Sequence, residues 1–327
     1  MDVKTQKTTR GLFVNITVLL FYFTFLVFVL SASIFYFVPV VLTTTMVKIN
    51  KGDGPCKTCN QFLHNPAFKY PKFTCLSLRI YSLFGKSYFV ANHTIDKDMT
   101  SYQIVKAIHT LTLHKISIPE GLTVYEVMQL LDKDNCVTNS IVDNVEEGSL
   151  MPDTYLFTCG TSKAKIINIM KNAMDDFIEV EWDKRDKNIN YLYSARDAVI
   201  LASIIENEAK LDAERPLIAS VFVNRLSKKN MRLQSCATVV YCLTNGRGFS
   251  NFRRTVTYED LQLHCPHNTY RNDGLPPTAI SSPSRSSILT VLHPVKTDYL
   301  FYVVDKDGGH SFSSSFNKHI ANKNKKH

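Results

Sequence analysis

The sequence predicts an α+β protein carried by one apolar N-terminal helix, on three observations. A long charge-free run opens the chain, two strand–turn–helix units follow it, and the last half sets helices before short strands. With 327 residues, 45% hydrophobic and 20% charged, the chain is long enough for two globular units and too apolar for wholesale disorder.

Residues 12–42 contain no charged side chain and are crowded with Phe, Leu, Val and Ile, more than the roughly 20 residues that a bilayer core requires. They read as a transmembrane anchor. A cleaved signal peptide is the alternative, but its apolar region covers only about 7–15 residues. Lys4, Lys7 and Arg10 precede the run, so the positive-inside rule makes residues 1–11 a cytoplasmic tail. Everything after about residue 43 is then extracytoplasmic (periplasmic), tethered by a single pass through the cytoplasmic membrane.

The net charge of +9 is dispersed, apart from the run Lys318–His327, whose end forms a basic tail at 321–327. An exported domain seldom meets nucleic acid, so acidic polymer or an anionic membrane and wall surface is the expected partner. The eight cysteines at 56, 59, 75, 136, 159, 236, 242 and 265 all follow the anchor. Export permits disulfides without revealing their pairing. Cys56 and Cys59 have the C-x-x-C spacing of a zinc or redox pair, yet no second pair or histidine partner follows. A plain disulfide or two free thiols fits better, and a metal site on Cys56, Cys59 and Cys75 would lack its fourth ligand. No metal or cofactor is expected.

Residues 43–84 read as an irregular linker, because Gly52, Gly54, Pro55, Pro66 and Pro71 punctuate 43–75 without a clear period. A small α+β module is expected over 85–145. It joins a strand at 87–91 to a helix capped by Thr100, then a strand at 115–119 to a helix capped by Thr123. This module is either a spacer or a glycan-binding element. A larger α+β domain is expected over 146–320, with helices at about 163–180, from Ser194 to Glu208 and from Pro216 to Leu226, and a strand at 299–304 before Gly308-Gly309.

Glu208 is the candidate catalytic group. Leu201, Ile204, Ile205 and Glu208 follow the i, i+3, i+4, i+7 pattern of one helix face, which puts a carboxylate on an apolar stripe. Ser194 with Asp197 forms a capping box that fixes the helix start. At about 100° per residue Glu206 lies about 200° away from Glu208, so the two acids cannot share a cleft. A desolvated carboxyl holds its proton nearer neutrality, as a general acid requires. Gln234, Asn268, Thr269 and Tyr270 offer amide and hydroxyl groups suited to sugars, with a turn-forming role as the alternative for Asn268. Arg232 suits either a substrate carboxylate or an ordinary ion pair. His310, beside glycines, fits a hydrogen bond within its turn better than catalysis.

From Gly148 to His319 the chain resembles the endolytic murein transglycosylase (MltG, YceG-like) family. The carrying segments are Glu147-Gly148, Pro152-Asp153-Thr154-Tyr155, Ala202–Glu208, Ala219–Leu226, Met231–Ser235, Asn268-Thr269-Tyr270, Gly274–Pro277, His293-Pro294 and Gly309–Phe312. The anchor and a LysM-like module at about 85–135 also resemble the family's layout. The chain departs from the pattern at Cys236-Ala237, where the family usually has Asp-Pro. It departs again at Thr278 and Ser284, usually glycine, and at His267, usually tyrosine.

The resemblance implies that Glu208 aligns with the family's catalytic acid, and Glu206, Arg232, Gln234, Asn268, Thr269 and Tyr270 are the substrate-binding candidates. It implies cleavage of the MurNAc-β-1,4-GlcNAc bond within peptidoglycan strands, leaving 1,6-anhydro-MurNAc ends. Glycan polymerases or penicillin-binding proteins are the partners it implies. A catalytically weakened peptidoglycan-binding scaffold is the alternative.

Overall fold

The computed structural model describes residues 3–50, 53–84, 89–110, 113–209, 211–228, 231–306 and 308–325. The chain forms two compact units, one of residues 1–114 with 157–160 and the other of 115–156 with 161–327.

Helix α1 (Val3–Phe37) opens the first unit. Its stretch Ile16–Phe37 has a mean hydropathy of 2.5 with none of it buried, so by length and composition it can cross a membrane. The expected linker is folded instead. Strand β1 (Thr45–Ile49) leads to helices α2 (Pro55–Leu63) and α3 (Pro71–Ser82). Pro55 and Pro71, read as breakers, occupy the first turns of those helices, where a missing N–H breaks no helical bond and the fixed φ already suits the helix.

Strand β2 (Ala91–Ile95) pairs antiparallel with β1, Thr45 opposite Ile95 and Ile49 opposite Ala91. The strand expected at 87–91 therefore lies later; Ser87 and Tyr88 fall outside the described residues. The shift has a packing reason, since Val47 and Ile49 bury on the same face as His93 and Ile95. Helix α4 (Ser101–Ile108) starts at the expected Thr100, whose capping box with Gln103 is complete. Phe62, Leu78, Ile104 and Ile108 fill the core of this unit. The C-x-x-C does not close on itself: Cys59 bridges to Cys75 and ties α2 to α3, and Cys56 is free and exposed. The bridge also removes two of the three sulfurs of the metal alternative.

Strand β3 (Leu113–Ser117) is followed by α5 (Val124–Lys133), capped by Thr123 with Glu126 as expected. Strands β4 (Val137–Thr138), β5 (Thr154–Thr158) and β6 (Thr161–Ser162) are short; β3 pairs with β5, and β4 runs parallel to β6. The module expected over 85–145 is thus not one unit. β2 takes its partner from the supposed linker, and α4 packs with α3 and α1, whereas α5 belongs with the residues that follow it.

Helices α6 (Lys163–Lys184), α7 (Ala195–Glu208), α8 (Arg215–Ser227), α9 (Cys236–Thr244) and α10 (Arg285–Leu292) make the body of the second unit. The hairpin β7 (Phe301–Val304) and β8 (His310–Ser313) and helix α11 (Phe316–Lys325) close it. The helices α6 to α10 precede the hairpin as expected, but the short strands β5 and β6, which the sequence reading did not place, come before them. Helix α7 carries the expected Ser194–Asp197 capping box and packs against α6, α8, α9 and α10. Every residue from Ala198 to Ile205 is buried, so α7 is a central helix buried all round rather than an amphipathic surface helix.

Gly148 packs against this helix with φ +80°, where an added Cβ would lie 2.6 Å from Ala279 Cβ and 2.9 Å from Val199 Cγ1. Both the left-handed backbone and the overlap penalise any side chain. Gly148→Ala is expected to destabilise the protein by about 2–3 kcal/mol, adding overpacking to backbone strain. Urea unfolding of the two proteins checks this, and equal midpoints would show that the loop simply shifts.

Candidate active site

Because α7 is encased over two turns, its chemistry emerges only at its C-terminal end, where Glu206 and Glu208 leave on different sides. Glu206 does not line the cleft that Glu208 faces. Its Oε2 accepts from Ser284 N at 2.8 Å, Ser284 Oγ at 2.5 Å and Ser287 Oγ at 2.7 Å, and pairs with Arg215 Nη1 at 3.2 Å. The Arg215 and Glu206 side chains are only 8% and 9% exposed. These bonds tie Glu206 to α8 and to the start of α10, away from the cleft where the expectation has it binding substrate.

Glu208 faces a cleft of about 300 Å³ whose walls include Arg225, Gln234, Cys236, Tyr270 and Tyr302. A carboxylate at a helix C-terminus stands against the negative end of the helix dipole, so its partners must be donors. Ser235 Oγ donates to Oε1 at 2.5 Å and Tyr302 Oη donates to Oε2 at 2.9 Å. Burial first, then the nearby Glu208, pushes the Tyr302 hydroxyl well above the usual phenol range. Tyr302 therefore keeps its proton and serves as a fixed donor. Glu208 is the one acidic side chain on the walls of this cleft among the described residues.

The cleft's cation is Arg225, 6% exposed. Its Nε donates to Leu300 O at 2.8 Å and its Nη1 to Leu233 O, so backbone carbonyls hold it in place. Burial lowers its guanidinium, while Tyr302, Tyr270 and Glu208 oppose that shift.

Two loops bring the remaining groups together. Ser235 stands at the N-cap position of α9 without a side-chain capping bond, and its N–H donates to Thr269 Oγ1 at 3.0 Å, while Gln234 N–H donates to Thr269 O at 3.1 Å. Asn268 Nδ2 donates to Leu261 O and Leu263 O at 3.1 and 2.8 Å, and its Oδ1 accepts from Tyr270 N. Asn268 and Thr269 are 0% and 1% exposed. Both position the cleft without lining it, which is the turn-forming alternative for Asn268. Arg232 joins Asp273 at 2.8 Å and Tyr270 O at 3.0 Å, and so stands as an ion pair that braces the Tyr270 loop. Of the expected substrate-binding residues, Gln234 and Tyr270 line the cleft, and Glu206, Arg232, Asn268 and Thr269 do not. The disulfide Cys242–Cys265 ties α9 to the same loop.

Gln234 adopts φ +54°, a left-handed conformation that costs a non-glycine residue roughly 1–2 kcal/mol. Such strain concentrates where a side chain must be aimed. Sequence reasoning missed Ser235 and Arg225, although both lie inside segments it had singled out. It also missed Tyr302, which hides in the alternating strand Phe301–Val304. His310 bonds not within its turn but to Glu214, Nδ1 lying 2.6 Å from Oε2.

Four of the residues at which the chain departs from the pattern that the resemblance implies have local partners. Nε2 of His267 lies 2.8 Å from Thr278 Oγ1, so two of the changed residues meet one another. Ser284 caps α10 and donates to Glu206. Cys236 Sγ lies 3.2 Å from Tyr270 Oη at the solvent-reached edge of the cleft. Desolvation by the surrounding wall raises this thiol, the Tyr270 hydrogen bond opposes that, and Glu208 adds to it.

The model of the YceG-like family matches residues 47–325. The chain belongs to the YceG-like family. Among family relatives, it is 37% identical over 192 residues to the endolytic murein transglycosylase of Bacillus subtilis (strain 168), covering 58% of this chain and 51% of that protein. It is 32% identical over 165 residues to the endolytic murein transglycosylase of Streptococcus pneumoniae (strain ATCC BAA-255 / R6), covering 50% of this chain and 29% of that one. The chain thus spans about half the length of the first relative and less of the second. A crystal structure of a YceG-like protein from Listeria monocytogenes superimposes with a TM-score of 0.53 at 29% identity, covering 85% of this chain and 98% of that one.

The family segment Glu147-Gly148 supplies an acid outside the cleft. Both oxygens of Glu147 accept from Val124 N at 3.1 Å, at the first turn of α5. Burial raises this carboxyl to about 7, opposed by the Val124 hydrogen bond. A raised folded value means that the proton is held more tightly in the native state. The stabilisation is full below the unfolded value near 4.5 and is lost as pH rises through about 7. Glu147→Gln, neutral throughout, is expected to match the wild type near pH 4.5 and exceed its stability above pH 7, by at most about 3 kcal/mol. Unfolding free energies of both proteins across this range check the prediction; parallel curves would rule it out.

Proposed function

We propose that this chain is a membrane-anchored endolytic lytic transglycosylase acting on peptidoglycan glycan strands, with Glu208 as general acid and then base. The observation that carries this reading is a cleft with one carboxylate, held from both oxygens by hydroxyl donors. Hydrolytic glycosidases use two carboxylates, the second as nucleophile or as base for water. Transglycosylation needs only one, because the muramyl 6-hydroxyl is an internal nucleophile and proximity replaces the second enzyme group.

In the proposed reaction protonated Glu208 donates to the glycosidic oxygen as the bond from muramyl C1 to that oxygen breaks. The 6-hydroxyl oxygen then bonds to C1, and its proton passes to the Glu208 carboxylate, restoring the acid. No water is consumed, and the products are a GlcNAc 4-hydroxyl end and a 1,6-anhydro-MurNAc end. Ser235 and Tyr302 keep the carboxyl aimed throughout. Arg225 supplies a fixed positive charge beside the carboxylate formed midway, while Gln234 and Tyr270 offer polar groups to the sugar.

The endolytic murein transglycosylases of B. subtilis and S. pneumoniae support the substrate class. Helix α1 serves in this reading as an uncleaved single-pass anchor in the cytoplasmic membrane, N-terminus inside, with both folded units extracytoplasmic. The first unit, which carries the first strand–helix pair of the expected LysM-like module, would hold glycan while the second cuts. Glycan polymerases or penicillin-binding proteins are the proposed partners, since trimming nascent strands sets their length.

Uncross-linked glycan incubated with the protein is expected to yield anhydro-muramyl ends, identified by mass spectrometry. Glu208→Gln should lower that rate about 10²–10⁴-fold, the usual share of proton transfer, with glycan binding retained. Tyr302→Phe should lower the rate about tenfold, the loss of roughly one charge-assisted hydrogen bond. An inert wild type that still binds glycan would establish the scaffold reading instead.

A further inference from the structure

The apolar helix and the unit it leads into present matching apolar stripes to each other. Phe73, Leu76, Ile80 and Phe84 recur at helical spacing along and just past α3. They point away from Cys75 and Leu78, which are buried in the core of the first unit. Leu76, Ile80, Leu83 and Phe84 are 55%, 50%, 84% and 77% exposed, an apolar patch out of keeping with a water-facing helix. Across from it, Phe28, Ala32 and Phe35 form a stripe on α1, and the two stripes wall a groove of about 550 Å³.

The position of this groove along α1 identifies what fills it. Its α1 wall runs from Phe28 to Tyr36 within the membrane-competent stretch Ile16–Phe37. At 1.5 Å per residue it reaches about 14 Å back from the end of that stretch, nearly half the roughly 30 Å hydrocarbon core. Tyr36, on the wall of the groove, meets Tyr102 of α4 with ring centroids 4.8 Å apart, the kind of aromatic pair that sits at headgroup level. Arg79, the basic residue in the last turn of α3, donates to Cys56 Sγ of α2 at 3.9 Å. Lys72, in the first turn, has a stem long enough to lift its charge to the headgroups.

We propose that this groove takes an acyl chain of a membrane phospholipid, so that α3 lies in the half of the bilayer next to the folded unit, alongside α1. The proposal rests on the anchor reading of α1. It makes the first unit a membrane-embedded element rather than a domain held off the surface by a tether.

The test uses the full chain with Trp182→Phe, which removes its single tryptophan, in vesicles of phosphatidylethanolamine and phosphatidylglycerol with brominated acyl chains and no polyprenyl lipid. Ile80→Trp and Leu76→Trp report on the groove, Ile34→Trp on the span, and Tyr258→Trp on the second unit. Both groove reporters should lose emission as Ile34→Trp does, while Tyr258→Trp keeps its own; two reporters guard against one misfolded variant. Retained emission from both, with Ile34→Trp quenched, overturns the proposal and leaves water or a second copy of the chain as the cover. Retained emission from Ile34→Trp as well overturns the anchor reading together with the proposal.

Discussion

The arrangement of the second unit depends on the buried pair Arg215–Glu206. Two turns of apolar side chains fix the rotation of α7 only loosely at its last residue, because a helix end frays where its carbonyls lose partners. Glu206 closes that gap by drawing donors from α8 and from the first turn of α10. Burying two charges costs several kcal/mol each, and the pair recovers this only because the serines satisfy the remaining lone pairs. With Glu206 pinned on one side, Glu208, about 200° further round, is turned to the opposite side. The ion pair thus aims the acid without touching the cleft.

That division of labour explains which parts of the site the sequence disclosed. The relation between Glu206 and Glu208 is local, a matter of degrees per residue, and so was readable along with the Ser194, Thr100 and Thr123 caps. The cleft itself is not local. Ser235 and Tyr302 lie 27 and 94 positions from Glu208, and nothing in a strand reading of Phe301–Val304 distinguishes a hydroxyl aimed at an acid from one aimed at water. Asn268 and Thr269 show the converse failure. Their polarity suits sugar, but polarity equally suits loops that must satisfy buried backbone groups, and both side chains are spent on that.

The folded region between the apolar helix and residue 84 was missed for a related reason. Proline reads as interruption when its neighbours show no period, yet at the first turn of α2 and α3 it is a starting residue. Short helices closed by a disulfide need less apolar periodicity to persist, so Cys59–Cys75 substitutes for the pattern that a sequence reading seeks. The strand β2 was misplaced because its register is dictated by β1, which the linker reading had removed.

The departure at position 236 bears most directly on the proposed reaction. The resemblance implies an aspartate where Cys236 stands, on the wall of the cleft and close enough to Glu208 to feel its charge. A second carboxylate so near would suit a base that assists a water molecule. Cys236 does not supply that base: its thiol, raised by desolvation, stays uncharged near neutrality, and its hydrogen-bond partner is Tyr270 rather than a nucleophile. A hydrolase would lose a necessary group by this exchange. A reaction whose nucleophile arrives on the substrate loses only a neighbour, and among the described residues that line the cleft Arg225 is the fixed cation beside Glu208. The exchange is therefore compatible with the proposed chemistry, in which a single acid gives a proton and takes another back.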